Sequence, residues 1–249
     1  MGSRALPPRG AELSVTGAVT GAIRSRPSPN HGPRRDGARP DLIVLHYTAM
    51  TTAEAALDRL CDPAAEVSAH YLIAERGTVW QLVPESLRAW HAGAGRWGRV
   101  SDVNSRSVGI ELANTGAHPF PAPQMSALRA LMAGIMARWS IPPARVIAHS
   151  DMAPLRKSDP GRRFDWRGLA RDGLTVWSDA TGQRTNMGAF LRDAGLFGYD
   201  IGGNAPEAVL TAFRLRFRPS ADGPLDGTDC ARMADLAARF PVDRTTPTA

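Results

Sequence analysis

The sequence predicts an α/β protein in which a mixed central β-sheet is flanked by helices and followed by a small three-helix domain. Short apolar runs alternate with segments of helical periodicity between residues 41 and 148, which is typical of one layered α/β unit. After Trp177 the strand-like runs stop and three helical segments follow. The chain has 249 residues, of which 43% are hydrophobic, so it can bury one substantial core.

Five short apolar runs predict the strands of the sheet. Runs of this length, bounded by turn-forming residues, are typical of buried strands. The tripeptide Glu75-Arg76-Gly77 predicts a hairpin turn between the second run and the third. The runs are Leu42–Leu45, His70–Ala74, Thr78–Val83, Ser107–Ala113 and Arg145–Ala148.

Five segments predict helices, two inside the sheet region and three after it. Thr51–Leu60 starts with Thr51 and Glu54 at the spacing of a capping box. Gln124–Trp139 carries apolar residues at helical spacing, and Pro123 stands where a helix tolerates proline. The three later helices are separated by glycine-containing loops and are Met187–Leu196, Pro206–Phe217 and Thr228–Phe240.

The N-terminal region differs in composition from the rest. Residues 1–40 are rich in proline, glycine and arginine, which predicts an irregular arm. Met1–Gly10 has no charged start followed by the apolar stretch of a signal peptide, and no run approaches the roughly 20 apolar residues of a membrane helix. We therefore expect no membrane span and a cytoplasmic protein. A periplasmic or outer-membrane-associated location is the alternative if a leader has been removed.

Charge and cysteine content narrow the function classes. The formal net charge is +6 and the pI about 10.3. The arginines are scattered rather than gathered in a dense basic run with aromatic residues, so we expect no nucleic-acid partner, and the charge suits an anionic, carboxylate-rich ligand. Cys61 and Cys230 lie far apart and predict two buried thiols rather than a metal-binding pair.

Two histidines and one aspartate form a candidate metal site. His46 and His149 each follow a predicted buried strand, so both imidazoles emerge at strand ends, and Asp159 lies ten residues after His149. Two histidines and one carboxylate suit zinc and leave one coordination position for water. On spacing alone, hydrogen-bonded structural histidines are the commoner interpretation.

Glu111 and Lys157 are the candidates for catalysis. Glu111 lies within the apolar run Val108–Leu112, where a carboxylate is costly unless it is paired or functional, and near a metal it would serve as a general base. The alternative is a glutamate on the exposed face of an edge strand. Lys157, two residues before Asp159, is the only lysine among 30 Lys plus Arg residues, which suggests a need for a compact ammonium that stabilises an oxyanion.

Six short motifs lie over roughly residues 40–170, and they are Leu45-His46-Tyr47-Thr48, Ser68-Ala69-His70-Tyr71, Trp90-His91-Ala92-Gly93, Gly109-Ile110-Glu111-Leu112, Ala148-His149-Ser150-Asp151 and Arg156-Lys157-Ser158-Asp159-Pro160-Gly161. Together they resemble the N-acetylmuramoyl-L-alanine amidase type 2 family, in particular its AmpD/AmiD-like anhydromuramyl-peptide amidase branch. They occur in the family's order, which makes the resemblance specific.

The resemblance implies a role for each matching residue. His46, His149 and Asp159 match the zinc ligands, and Glu111 and Lys157 match the catalytic pair. His91 matches a residue that lines the substrate cleft, and His70 matches a structural histidine; His31 and His118 match nothing and are expected at the surface.

The resemblance also implies a domain plan and a function. It divides the chain into an irregular arm (1–40), a zinc amidase catalytic domain (41–177) with the peptidoglycan-recognition-like fold, and a small helical peptidoglycan-binding-like domain (187–242). For the last of these, a stabilising domain packed beside the active site is the alternative to wall binding. The expected activity is zinc-dependent hydrolysis of the amide between the lactyl group of muramic acid and L-alanine. The expected partners are anhydromuropeptides or peptidoglycan, and we expect a monomer.

Three other functions remain open at this point. One is a non-catalytic peptidoglycan-recognition module on the same fold, although such modules typically lose a zinc ligand. Another is a zinc amidase that acts on a different amide, because a fold alone does not determine the substrate. The third, a nucleic-acid-binding protein, is suggested by the pI alone.

Overall fold

A computed structural model describes residues 22–243 and contains the predicted mixed sheet. Each of the five predicted strands forms within two residues of its expected bounds, and three strands of two or three residues were not predicted. The strands are β1 (Arg24–Ser25), β2 (His31–Pro33), β3 (Leu42–Tyr47), β4 (Tyr71–Ile73), β5 (Val79–Gln81), β6 (Leu87–Ala89), β7 (Ser107–Leu112) and β8 (Val146–Ala148).

Six of these strands form the central sheet in the order β1-β5-β4-β7-β3-β8. The pairs β4–β7, β7–β3 and β3–β8 are parallel, whereas β4 and β5 form the predicted antiparallel hairpin. β2 and β6 form a separate antiparallel pair. The long apolar strands β3 and β7 therefore lie at the centre, as expected for runs that are buried on both faces.

The five predicted helices also form, together with three of four to six residues that were not predicted. Thr52, one residue later than expected, caps the first helix by accepting a hydrogen bond from the Ala55 amide, so the predicted capping box at Thr51 is wrong. The α-helices in the described part of the chain are α1 (Ala53–Cys61), α2 (Val103–Arg106), α3 (Ala122–Trp139), α4 (His149–Met152), α5 (Trp166–Arg171), α6 (Met187–Phe197), α7 (Pro206–Phe217) and α8 (Gly227–Arg239).

Successive side chains of β3 pack into a core on one face of the sheet and then on the other, because successive side chains of a strand point in opposite directions. Ile43 and Leu45 pack in a cluster with α3 and α5. Leu42 and Val44 belong to a second cluster, which also contains Trp97 and the apolar side chains of α6, α7 and α8. The helices after Trp177 thus share a core with the sheet.

The N-terminal arm is partly described. Residues 1–21 lie outside the described part of the chain. Beyond them, β1 adds to the edge of the sheet beside β5, and β2 pairs with β6. Ser28 and Asn30 are buried and donate hydrogen bonds to the carbonyls of Leu60 and Val67, so residues 24–33 are joined to the sheet domain. No helix among residues 22–243 has the length and apolar character needed to cross a membrane.

Candidate metal centre and active site

The candidate ligands meet at the carboxyl ends of the parallel strands. His46 lies near the end of β3, where the register places it beside Glu111 of β7. His149 follows β8 directly as the first residue of α4. The Ser150 amide donates a hydrogen bond of 3.1 Å to the carbonyl oxygen of Asp159, which holds the loop carrying the third candidate against α4. Parallel strands therefore bring together residues that are 103 and 113 positions apart.

Three ligand atoms converge at this point. Nδ1 of His46 lies 2.9 Å from Nδ1 of His149 and 2.9 Å from Oδ2 of Asp159, and the His149–Asp159 distance is 3.0 Å. All three residues are buried. Together they form a His/His/Asp group able to hold a metal ion.

The electrostatics of the group suit a cation. Burial and the neighbouring His149 lower the pKa of His46 to about 4, so the imidazole is neutral near pH 7 and keeps a lone pair for a metal. Burial opposes ionisation of Asp159, yet hydrogen bonds with His149 and His46 hold its pKa well below the usual range. The site thus combines two imidazole nitrogens with one carboxylate oxygen, a donor set that suits zinc.

A backbone carbonyl orients the His149 ring. Nε2 of His149 donates a hydrogen bond of 2.9 Å to the carbonyl oxygen of Ala92. The side chain of Asn104 holds that segment by accepting hydrogen bonds from the His91 and Ala92 amides, at 3.0 and 2.9 Å. Because Nε2 carries the proton, Nδ1 presents its lone pair to the other two ligands.

A chain of hydrogen bonds orients the His46 ring in the same way. Nε2 of His46 lies 3.0 Å from Nδ1 of His91, and Nε2 of His91 lies 3.0 Å from the hydroxyl of Ser107. That hydroxyl donates to the Val103 carbonyl at 2.6 Å. The Val103 carbonyl can only accept, so the Ser107 hydroxyl donates to it and accepts a hydrogen bond from Nε2 of His91. Nδ1 of His91 then accepts the Nε2 proton of His46, and this order of donors and acceptors leaves Nδ1 of His46 without a proton. Gly109 provides the space, because a β-carbon there would overlap the His91 ring.

His91 therefore lies behind a metal ligand as well as beside the cleft. It is half-buried and lines the same cavity as His46. The predicted substrate contact of His91 stays a prediction, and its contact with His46 is an additional finding.

Glu111 lies on the metal side of a central strand, so the alternative of an exposed position on an edge strand is wrong. Its Oε2 atom is buried and has no hydrogen-bond partner among residues 22–243. Burial, together with the charge of Asp159, raises the pKa of Glu111 to about 8, and Lys157 opposes that rise. A buried carboxylate oxygen without a partner is rare in proteins and suits a group that exchanges a proton with substrate or water.

Lys157 lies at the rim of the cavity that contains these groups. The cavity has a volume of about 330 Å³ and is lined by the three candidate ligands, Glu111, His91 and Lys157, together with Trp90 and Arg156. The Lys157 side chain is exposed, and the structure shows no hydrogen bond or ion pair of its ammonium within the described residues. The ammonium is therefore free to meet a ligand in the cavity.

The remaining histidines lie outside the metal group. His70 is buried, accepts a hydrogen bond from the Gly109 amide at Nδ1 and lies 3.1 Å from the Leu87 carbonyl at Nε2, which agrees with its expected structural role. His31 and His118 are exposed, as predicted. Cys61 and Cys230 are free but half-buried, so the prediction of two buried thiols is wrong.

Sequence reasoning missed Ser107 and Asn104. Ser107 has a usable signal, because it precedes Glu111 by four residues in one strand, and the period of two places both side chains on the same face. No sequence pattern indicates the role of Asn104. It lies in α2, and it reaches the amides of His91 and Ala92 only because α2 packs against β6.

The sequence profile of the N-acetylmuramoyl-L-alanine amidase family (Amidase_2) matches residues 36–162. The N-acetylmuramoyl-L-alanine amidase AmiD of Escherichia coli K12 is 36% identical over 236 residues, which cover 81% of this chain and 84% of AmiD. The 1,6-anhydro-N-acetylmuramyl-L-alanine amidase AmpD of Enterobacter cloacae is 34% identical over 160 residues, or 57% of this chain and 86% of AmpD.

A solved structure agrees with these matches. E. coli AmiD in complex with anhydro-N-acetylmuramic acid-L-Ala-D-γ-Glu-L-Lys superimposes with a TM-score of 0.76 at 32% identity, and the match covers 88% of this chain and 94% of that one. The profile covers more than half of the chain, and the AmiD relationship extends over most of both proteins. The chain therefore belongs to the N-acetylmuramoyl-L-alanine amidase family.

Proposed function

We propose that the protein is a zinc-dependent N-acetylmuramoyl-L-alanine amidase that hydrolyses the lactyl–L-alanine amide of anhydromuropeptides. The observation that carries the proposal is the convergence of His46, His149 and Asp159 beside a buried carboxylate oxygen of Glu111 that has no hydrogen-bond partner in the described part of the chain. A metal-binding group next to a candidate base, in a cleft of ligand size, has the components of metal-assisted amide hydrolysis.

Zinc suits this donor set. Two imidazole nitrogens and a carboxylate oxygen lie 2.9–3.0 Å apart, a spacing that requires a cation or a proton between them. Hydrogen bonds to Ala92 and His91 direct the outer nitrogens of the two rings away from the centre. Bound zinc would lower the pKa of a coordinated water toward neutrality, polarise the substrate carbonyl and favour the ionised form of Glu111.

The protein side chains supply the remaining chemistry. Glu111 would accept a proton from the water that attacks the lactyl carbonyl carbon. Lys157 would stabilise the negative charge that develops on the carbonyl oxygen. The protonated Glu111 would then transfer its proton to the departing amine of L-alanine, so the products are a muramyl sugar with a free carboxylate and a free peptide. His91 would also contact the substrate from the cavity wall.

The relatives and the charge of the chain support the proposed substrate class. AmiD is solved with an anhydromuramyl tripeptide, and AmpD is named as a 1,6-anhydro-N-acetylmuramyl-L-alanine amidase. The net charge of +6 favours an anionic substrate such as a carboxylate-bearing stem peptide. We propose soluble anhydromuropeptides as the substrate, with intact peptidoglycan as the alternative. The enzyme would then act in peptidoglycan recycling, and we propose that it is a monomer.

We place the activity in the cytoplasm. Both cysteines of the chain carry free thiols, which is consistent with a reducing compartment. Cell fractionation tests this, since recovery in the periplasmic fraction would favour wall trimming over recycling.

The recognition module is the second candidate, because it shares the fold. Occupation of all three ligand positions, together with Glu111 and Lys157, favours catalysis over recognition. The two differ in one measurable respect, namely release of free peptide.

The experiment is hydrolysis of a purified anhydromuropeptide beside intact sacculi, with zinc and after chelation. Chelator-sensitive release of free peptide supports the amidase, and the preferred substrate separates recycling from wall trimming. His149→Ala should lose both metal and activity, whereas the exposed His118→Ala should retain both. Firm zinc binding without peptide release from either substrate would contradict the proposal and favour recognition or a different amide.

A further inference from the structure

The helix α4 that presents His149 is a single turn, too short to be stable by itself. Its four residues are buried, so its position depends on what surrounds it. Within this turn, the Asp151 side chain accepts a hydrogen bond of 2.9 Å from the Ala148 amide, at the junction of β8 and α4. Asp151 therefore caps the turn whose first residue is the candidate ligand.

Asp151 is held by residues from beyond Trp177. The guanidinium of Arg216, in α7, donates to Oδ2 of Asp151 at 2.6 Å, and the hydroxyl of Tyr199, just after α6, donates to Oδ1 at 2.7 Å. Both side chains of the ion pair have no solvent exposure. The two oxygens of Asp151 thus take one donor from their own turn and two from the C-terminal helical region.

Arg216 also holds the strand that leads into α4. Its second terminal nitrogen donates to the carbonyl oxygen of Val146 in β8 at 3.0 Å and to the hydroxyl of Thr175 at 2.9 Å. The guanidinium lies 4.5 Å from the Trp166 ring and 4.7 Å from the Phe217 ring, so aromatic faces fix its plane. One arginine therefore connects β8, α4 and α7 immediately behind the metal group.

We propose that Arg216 and Tyr199 are positioning residues of the metal centre, acting on His149 through Asp151. The inference rests on the proposed metal site and assigns a task to the C-terminal helices that is independent of wall binding. Without Arg216, the carboxylate of Asp151 is buried without its cation. A buried charge that lacks a counter-ion is unfavourable, so the side chain moves or water enters beside it. Either change moves the start of α4, and with it the imidazole of His149.

Arg216→Met tests the proposal, because methionine retains much of the apolar volume and removes the charge. We expect zinc affinity to fall roughly 10- to 100-fold, as for other residues that orient metal ligands. Affinity is measured by competition with a chromogenic chelator. The visible absorption spectrum of the cobalt-substituted protein reports the ligand geometry and should change in the variant.

Arg214→Met is the matched control. Arg214 lies on the same helix and also forms a buried ion pair, with Asp229 at 2.5 Å, but its side-chain contacts lie within α7, α8 and the loop between them. Both variants remove one partner of a buried pair and should lose stability. Only Arg216→Met should alter zinc affinity and the cobalt spectrum.

Tyr199→Phe is the milder variant, since it removes one hydroxyl donor to Asp151 and keeps the ring. It should shift zinc affinity in the same direction by a smaller factor, and it decides the question if Arg216→Met does not fold. Wild-type affinity and an unchanged cobalt spectrum in the folded variants would overturn this inference alone. A wild-type protein that takes up no metal would overturn the proposed function and this inference with it.

Discussion

The surroundings of Glu111 differ from those of an ordinary surface carboxylate. Its Oε2 is buried without a hydrogen-bond partner among the described residues, and its pKa is raised to about 8 by burial and by the charge of Asp159. Glu111→Gln keeps the shape and removes the base. We expect kcat to fall by about 10² to 10⁴ while zinc stoichiometry stays unchanged, as shown by turnover assays beside metal analysis. Glu54→Gln, an exposed change in α1, serves as the control; full activity of Glu111→Gln would exclude it as the base.

Substitutions of Lys157 test whether position 157 requires an ammonium group or only a positive charge. We expect Lys157→Met to lower kcat by about 10² to 10³ with little change in KM, because the charge on the oxyanion develops only in the transition state. Lys157→Arg should recover part of the loss at most, since the planar guanidinium is larger and spreads its charge. Steady-state kinetics of both variants measure this. Wild-type kcat in Lys157→Arg would mean that charge alone suffices.

His70 makes stability depend on pH. Burial, together with the charge of Arg34, lowers the pKa of His70 to about 3, against about 6.5 in the unfolded chain. Below pH 6.5 the unfolded state therefore binds a proton that the folded state does not, so this stabilisation is complete above pH 6.5 and decreases as the pH falls toward 3. The slope is about 1.4 kcal/mol per pH unit for each such proton.

His70→Asn should make this slope shallower by about one proton, because asparagine keeps an acceptor for the Gly109 amide and does not titrate. Urea denaturation of the metal-free protein between pH 5 and 7 measures the slope, and the surface change His118→Asn is the control. Equal slopes in all three proteins would contradict the assignment.

At the scale of elements, β7 arranges the site through its alternation. Ser107, Gly109 and Glu111 point to the metal side of the sheet, whereas Val108 and Ile110 face α3. On one face of β7, Ser107 thus accepts a hydrogen bond from His91, Gly109 leaves room for the His91 ring, and Glu111 is the candidate base.

Gly109→Ala should disturb that arrangement, because the new β-carbon would overlap the His91 ring. We expect a loss of about 1–3 kcal/mol in the free energy of unfolding, typical of overpacking, and weaker zinc binding through His46. Gly32→Ala in β2 is the control, since no atom of residues 22–243 lies within 4 Å of its added β-carbon. Urea denaturation and metal competition measure the two effects. An unchanged Gly109→Ala protein would show that His91 can move without consequence.

The strands and helices also show which elements an apolar pattern in the sequence can predict and which it cannot. The runs at β3 and β7 and the helix α3 are detectable in the sequence, because apolar residues follow a regular pattern there over at least four positions. Strands β1, β2 and β6 have two or three residues each, and all their side chains except that of the buried Ala89 are exposed or half-buried, so they carry no apolar run to detect. Their pairing depends on the neighbouring strand rather than on their own composition.

At the scale of the whole molecule, the helices after Trp177 share one apolar core with the sheet. Phe197 packs edge-on against Trp97 at 5.4 Å, and Phe190 and Phe213 lie in the same cluster as Leu42 and Val44. The division into a catalytic domain (41–177) and a helical domain (187–242) stays a prediction, and the shared core opposes independent folding.

A chain that ends at Ser178 should therefore fail to fold, because it exposes the apolar face around Trp97. In the full chain we expect one cooperative unfolding transition, with coincident midpoints for tryptophan fluorescence and far-UV circular dichroism. Two separate transitions, or a folded and zinc-binding truncated chain, would show that the two parts are independent.

Patterns in the sequence predict the α/β class, the five main strands, the five main helices and the identity of the candidate ligands. These follow from local causes, namely the period of apolar residues and the chemistry of histidine, aspartate and glutamate in short motifs. The tertiary structure decided that His46, His149 and Asp159 converge within 3.0 Å, that Ser107 and His91 orient one ring, and that Arg216 reaches Asp151. Such contacts join residues up to 113 positions apart, and their distances depend on packing between elements, which no local pattern encodes.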